Sequence, residues 1–225
     1  MSKHMLVEAY SICRERLKQK GVQISVVTDF SSINGILEIL GKPYLTPSLS
    51  PFANDFSQGN CFWLIAMRRG EVIAAGGTHF DDLGDEPVSE FWRRSAARQY
   101  GRNHKEVVSV SRTVDQFIGG KLVYFGDLFV AQKGDRRRLS DFVLAGHMLA
   151  GIKWSPDFTY VWLREEDLRR GAGYIYGFMN TLPIGQVWHD PPSPRSNTEM
   201  CVYTERAKLV ALAQRIIASQ WVQSV

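Results

Sequence analysis

Between Lys121 and Trp154 the sequence changes its period across a short basic segment, K-L-V-Y-F-G-D-L-F-V-A-Q-K-G-D-R-R-R-L-S-D-F-V-L-A-G-H-M-L-A-G-I-K-W. Lys121 to Val130 is dense in aromatic and β-branched residues, the composition of a buried strand, whereas Leu139 to Ile152 repeats apolar residues at helical spacing. The connection between them carries Arg136, Arg137 and Arg138. Helix amino termini leave N–H groups unpaired and hold a partial positive charge, so cations there are disfavoured unless an anion joins them. The junction is therefore expected to meet a phosphate-bearing ligand, held by backbone N–H groups and guanidinium forks.

At 225 residues with 44% apolar content, the chain can bury one substantial core, and a single domain over 1–225 with an N-terminal helical extension (1–21) is expected. A formal charge of +4 and a pI near 9.0 suit a phosphate-rich partner. With 27 basic residues spread among 23 acidic ones, however, the excess is too small to imply wholesale nucleic-acid binding. Cys13, Cys61 and Cys201 are odd in number and far apart, which argues against a disulfide framework and gives no close metal-ligand pair. No apolar run approaches about 18 residues, and the chain starts with a charged helical pattern rather than a signal peptide. The expected setting is cytoplasmic, away from membranes, and a homodimer is compatible with it.

The rest of the chain alternates between the two periods. A helix is predicted over 5–20, with Met5, Ala9, Ile12, Cys13 and Leu17 on one face, and a strand over Val22 to Thr28. Ser31 or Ser32 is the predicted cap of a helix that runs to Leu40. Tyr44 to Asn60 has no regular period, and a loop that long is a candidate lid, or else an ordered surface connection. Cys61 to Met67 and Glu71 to Phe80 read as a hairpin turning at Arg68-Arg69-Gly70, followed by an acidic run that includes Asp81, Asp82, Asp85 and Glu86. A helix at Ser89 to Tyr100 and a strand at Val107 to Val110 follow. Tyr160 to Leu163 is the next strand, and strand, helix and strand at this spacing form a crossover that makes the two strands parallel. Glu165 to Met179 reads as a short helix, and Gly185 to His189 and Thr198 to Tyr203 as antiparallel strands joined by D-P-P-S-P-R-S-N. A terminal helix spans Glu205 to Trp221.

This order of elements, together with L-F-V-A-Q-K-G-D-R-R-R-L-S-D-F-V-L, resembles the GNAT N-acetyltransferase superfamily. Leu128, Phe129 and Val130 match the end of that family's fourth strand, and Gln132 and Gly134 match the start of its pyrophosphate loop, Q/R-x-x-G-x-G/A. Arg136, Arg138 and Ser140 fall where the family often has small residues, which makes this a divergent loop. The resemblance implies an α/β fold with a mixed, mostly antiparallel central sheet, splayed fourth and fifth strands and flanking helices. It also implies acetyl-CoA or another acyl-CoA as cofactor. The loop from Gln132 through Arg136, Arg137, Arg138 and Leu139 to Ser140 would hold the cofactor's phosphates, and the backbone N–H groups of Phe129, Val130 and Ala131 would polarise the thioester carbonyl.

The family typically uses direct attack by a neutral amine, helped by a base and by an acid that protonates the departing thiolate. Asp127 interrupts an apolar strand, and a carboxylate in such surroundings is a candidate base, with a strand-edge hydrogen-bonding role as the plainer reading. Glu71 and His79 are weaker base candidates. Tyr174 and Tyr176, in A-G-Y-I-Y-G-F, are the candidate acids, with Tyr176 preferred, although the family's tyrosine precedes that glycine by four, where Gly173 stands. His147 falls mid-helix in apolar surroundings and reads as a core histidine. The expected function is acetyl or other short acyl transfer from coenzyme A to a small-molecule amine or protein amine acceptor, and the acidic run would favour a cationic one. Two alternatives stand beside it: a catalytically silent module that binds a ligand or partner, and a longer-chain acyl transferase related to acyl-homoserine-lactone synthases.

Overall fold

A computed structural model describes residues 3–57, 59–101, 107–131, 140–183, 186–193 and 195–222. The first helix, α1 (Lys3–Gln19), buries Leu6, Ala9, Ile12, Cys13 and Leu17, so the stripe begins at Leu6 rather than Met5. After β1 (Gln23–Val27), helix α2 (Phe30–Leu40) is capped by Asp29, not by either serine. The Asp29 carboxylate accepts the Ser31 N–H at 2.9 Å, and an ionised acceptor satisfies that orphan donor better than a hydroxyl. Strands β2 (Cys61–Arg68) and β3 (Glu71–Asp82) form the expected hairpin, with Arg69 and Gly70 both at positive φ. Next come α3 (Val88–Tyr100), β4 (Val107–Val110), β5 (Lys121–Val130), α4 (Ser140–Trp154) and β6 (Phe158–Arg164). The remainder comprises α5 (Glu165–Arg169), α6 (Ala172–Ile175), β7 (Asn180–Leu182), β8 (Gln186–Trp188), β9 (Glu199–Glu205) and α7 (Arg206–Val222).

Two expectations for the C-terminal third are corrected. The predicted helix over Glu165 to Met179 breaks into α5 and α6 at Gly171, whose φ of 81° is the left-handed conformation that ends helices, and Gly177 at 80° closes α6 in turn. The strands predicted around 185–189 and 198–203 do not pair with each other. β8 pairs with β4 in a separate two-stranded sheet, while β9 lies between β6 and β7.

The main sheet has seven strands in the order β1-β2-β3-β5-β6-β9-β7, antiparallel everywhere except between β5 and β6. β2 is buried on both faces, which is why it reads as an unbroken apolar run. Phe62, Leu64 and Ala66 join the layer formed with α1, α4 and α7, and Trp63 and Ile65 join the layer formed with α2 and α3. The sheet is therefore mixed and mostly antiparallel, with helices on both faces, as expected. Among the described residues no helix is long and apolar enough to cross a membrane.

Candidate functional site

β5 and β6 are hydrogen-bonded as parallel neighbours only from Leu122↔Phe158 to Tyr124↔Tyr160 and then separate. A bulge explains the divergence. On the other side of β5, Gly77 pairs with Gly126 and Ala75 with Phe129, so Asp127 and Leu128 together oppose the single residue Gly76. An extra residue bends and twists the strand that carries it. Asp127 sits at φ 54°, a left-handed conformation that aspartate tolerates better than most residues. The bent half of β5 and the start of α6 thus enclose, with β6, a cleft of about 400 Å³.

The end of β5 aims its backbone selectively. The Ala131 N–H donates to the Ile73 carbonyl at 2.9 Å, and Val130 lies directly opposite Ala74. In an antiparallel ladder this makes Val130 and Ala74 a pair without mutual hydrogen bonds, so the Val130 N–H and C=O point away from β3, toward the cleft. Of the three amides expected to polarise a carbonyl, Ala131 is thus excluded because β3 already holds it, and Val130 carries the available donor. Gln132, Gly134, Arg136, Arg137, Arg138 and Leu139 lie outside the described residues. Ser140 begins α4, and the neighbouring Asp141 is bound at 2.6 Å by Lys20, the residue that follows α1.

The two candidate tyrosines part company. Tyr176 lines the cleft, beside Phe178 and Val143. Tyr174 faces outward, 68% exposed and outside the cleft lining, and its hydroxyl accepts a hydrogen bond from Arg215 at 3.2 Å. The position of Tyr176 is set from behind. The fully buried His147 donates its Nε2–H to the Tyr176 carbonyl at 2.8 Å, the oxygen being able only to accept. Burial lowers the His147 pKa to about 4, against the opposing effect of that hydrogen bond, so the ring is neutral near pH 7.

Asp127 ties β5 to the segment that precedes β2. Its carboxylate lies 3.1 Å from Lys42 Nζ and accepts from Thr46 N at 3.0 Å and Thr46 Oγ1 at 2.9 Å, with both charged side chains about 95% buried (3% and 5% exposed). These partners take three of the carboxylate's roughly four acceptor sites, in keeping with the hydrogen-bonding role that was the plainer expectation. They also fix the start of the 44–60 segment. Leu49 in the same segment is buried close to Gly77, where an added Cβ would lie 2.6 Å from Leu49 Cδ1. Asp55 pairs with Arg98 at 2.7 Å, so the segment is a wall tied to β5, β3 and α3 rather than a free lid. Glu71 is exposed at the start of β3, outside either cavity.

That wall closes a second, polar cavity of about 280 Å³, lined also by His79, Asp81 and Trp92. The two cavities share Tyr124, Trp162 and Arg195. Arg195, missed in the sequence because a single arginine in a proline-rich stretch has no period to reveal its burial, donates Nε–H to the Tyr100 hydroxyl at 2.9 Å, Nη2 to Ser48 Oγ at 3.0 Å and Nη1 to Glu199 Oε1 at 3.4 Å. Burial opposes its charge, but the Tyr100 and Tyr124 phenols and Glu199 hold its pKa above the ordinary guanidinium value. Burial also raises the Tyr124 pKa, so the phenol stays protonated at the junction. Its hydroxyl lies over Gly126, 2.4 Å from where a Cβ would stand.

No protein-family model matches the sequence, and no curated protein does. Solved structures do match in three dimensions. FeeM, an N-acyl amino acid synthase from uncultured soil microbes, superposes with a TM-score of 0.53 at 9% identity, over 86% of this chain and 97% of that one. An agmatine N-acetyltransferase matches with a TM-score of 0.46 at 12% identity, over 81% of this chain and 99% of that one. A polyamine N-acetyltransferase from Drosophila melanogaster gives 0.46 at 15%, over 81% and 100%. The bulged β5, its parting from β6 and the superposition on FeeM together identify the chain as having the GNAT fold, in a divergent form.

Proposed function

We propose that this protein transfers an acyl group from a coenzyme A thioester to an amine by direct attack. The observation that carries the reading is the meeting of two cavities, one between diverging parallel strands and one polar, at Tyr124, Trp162 and Arg195. A two-substrate reaction without a covalent enzyme intermediate needs such a junction, with donor and acceptor entering from different sides. The donor side fits an acyl-pantetheine arm. Beyond Tyr124 and Tyr160 the facing edges of β5 and β6 are not hydrogen-bonded to one another, and unpaired strand edges bind chains that carry amides.

In this reading the Val130 N–H polarises the thioester carbonyl as the tetrahedral species forms, a contribution of about 3–4 kcal/mol where such donors have been removed from other enzymes. Tyr176, at the cleft wall, gives its phenolic proton to the departing sulfur. The segment from Gln132 to Ser140, with its three arginines, holds the phosphates of the donor. FeeM is an N-acyl amino acid synthase, so an amino acid belongs in any acceptor panel and a longer acyl chain in any donor panel.

The test is thiol release from acetyl-coenzyme A and octanoyl-coenzyme A in the presence of simple amines, a polyamine and amino acids, with wild type and Tyr176→Phe. Amine-dependent release that falls at least about tenfold in the variant is expected. Binding of thioester without release for any acceptor would leave a silent binding module, and the absence of both would remove the reading.

A further inference from the structure

The donor cleft ends against two walls of different chemistry. On its helix side, the buried Phe125 and Phe178 stand edge-to-face with the fully buried His147, at ring-centroid distances of 5.1 and 4.9 Å. The Phe125 ring is seated so closely on α4 that a Cβ at Gly146 would lie 2.4 Å from its Cζ. Leu144 and Leu212 close in behind Gly177, 3.1 and 3.3 Å from where its Cβ would stand. A region packed this tightly takes in extra methylenes only with strain, so a chain longer than the cleft finds no continuation here.

The other wall is the junction itself. Tyr124 is buried there, its ring held edge-to-face by Tyr160 with centroids 5.5 Å apart and its hydroxyl over Gly126. Arg195 is buried beside it, held by the Tyr100 and Ser48 hydroxyls and by Glu199. Past these two residues the walls turn polar, with Asn54, Asp55, Asp81, Arg94, Arg98 and Gln99. An alkyl chain that crosses the junction parts hydrogen-bonded buried groups, then covers polar side chains that lose water and gain no partner. Each methylene buried among apolar side chains tightens binding by about fourfold. That gain ends where Tyr124 and Arg195 stand.

We infer that Tyr124 and Arg195 determine specificity for the donor by limiting the length of its acyl group, so that short groups are accepted and a chain as long as octanoyl is refused. The inference rests on the acyl-transfer reading and names the donor class of that same cleft. If the amine comes through the polar cavity, the thioester carbonyl is presented toward the junction, and the carbons beyond it have only the space on the near side of Tyr124. An acetyl methyl fits there. The tail of an octanoyl group has to push the Tyr124 phenol aside or lie against the Arg195 guanidinium. The limit is therefore electrostatic as well as steric. Replacing Arg195 by methionine keeps a long side chain but removes the charge, and Glu199→Gln in the same chain leaves no carboxylate stranded beside it.

Calorimetric titration of the full chain with two unreactive thioethers, S-ethyl-coenzyme A and S-octyl-coenzyme A, tests the limit without any turnover. Wild type is expected to bind the ethyl compound at least about tenfold more tightly than the octyl one, the reverse of the order an open apolar channel gives. Tyr124→Ala and, separately, Arg195→Met/Glu199→Gln are each expected to bring the two Kd values within about threefold of one another, with thermal unfolding showing that the variant is folded. Octyl binding equal to or tighter than ethyl binding in wild type overturns the limit and leaves the donor cleft standing, whether or not either variant folds. A wild-type preference that persists unchanged in both folded variants overturns the roles of Tyr124 and Arg195. Failure of wild type to bind either thioether overturns the limit together with the donor reading on which it rests.

Discussion

Replacing Asp127 by asparagine keeps an oxygen for the Thr46 N–H and hydroxyl but removes the charge opposite Lys42. The ammonium lies 3.1 Å from the carboxylate, with side chains 5% and 3% exposed. With an effective dielectric constant of about 20, the attraction at that distance is on the order of 5 kcal/mol before desolvation is subtracted. Breaking a buried pair by removing one partner typically costs about 3–5 kcal/mol, because the other charge stays buried. Lys42 retains the Tyr44 carbonyl and the face of the Tyr44 ring, 4.6 Å from its nitrogen, so the low end, about 3 kcal/mol, is expected. Urea unfolding of Asp127→Asn, Lys42→Met and the double variant measures it. The double variant, free of the stranded charge, should recover most of the loss. Asp127→Asn within about 0.5 kcal/mol of wild type would refute the anchor, and a kcat reduced about 10²-fold or more at unchanged stability would make Asp127 a base after all.

Three further outcomes are expected. Gly126→Ala should drive the Tyr124 hydroxyl out of the junction, since the new methyl would lie 2.4 Å from it; urea unfolding should show a loss of about 1–3 kcal/mol, accompanied by a fall in amine-dependent thiol release. His147, held at a pKa of about 4 by burial, takes up its proton more readily in the unfolded chain, whose histidine titrates near 6.5. Stability should therefore be unaffected by this residue above pH 6.5 and fall by about 3 kcal/mol as pH drops from 6.5 to 4, a slope that His147→Leu should remove in pH-dependent urea unfolding. Burial pushes the Cys13 thiol up to about 12 and the Cys61 thiol up to about 11, and raises Cys201 as well. Ellman's reagent should accordingly find no reactive cysteine in the native protein and all of them after denaturation, and rapid labelling of the folded chain would contradict the packing around them.

The parts of the fold that were legible in the sequence are those in which one long segment carries its own period. β2 is an unbroken apolar run because it is covered on both faces, and the strand–helix–strand order around α4 forces β5 and β6 to be parallel. What was not legible depends on partners distant in the chain. β4 and β8 are short, and nothing in either names the other. Asp127 looked like a reactive carboxylate on an apolar strand, but its environment is supplied by Lys42 and Thr46 across the fold. Tyr174 and Tyr176 lie two residues apart at the end of a four-residue helix, and only its seating, fixed by His147, decides which of them reaches the cleft. The closeness of His79 and Asp81 was not legible either, because the strand expected over Glu71 to Phe80 runs on to Asp82 and so carries Asp81 onto the face of His79.

A donor seated between β5 and β6 with its phosphates at the basic loop is what everything else requires, and calorimetric titration of the full chain with acetyl-coenzyme A addresses it directly. One-to-one binding with a Kd on the order of micromolar, about −8 kcal/mol, is expected for wild type, together with its loss in Arg136→Glu/Arg138→Glu. A wild-type protein that takes up no acetyl-coenzyme A, or a charge-reversed variant that binds it equally well, would contradict the account.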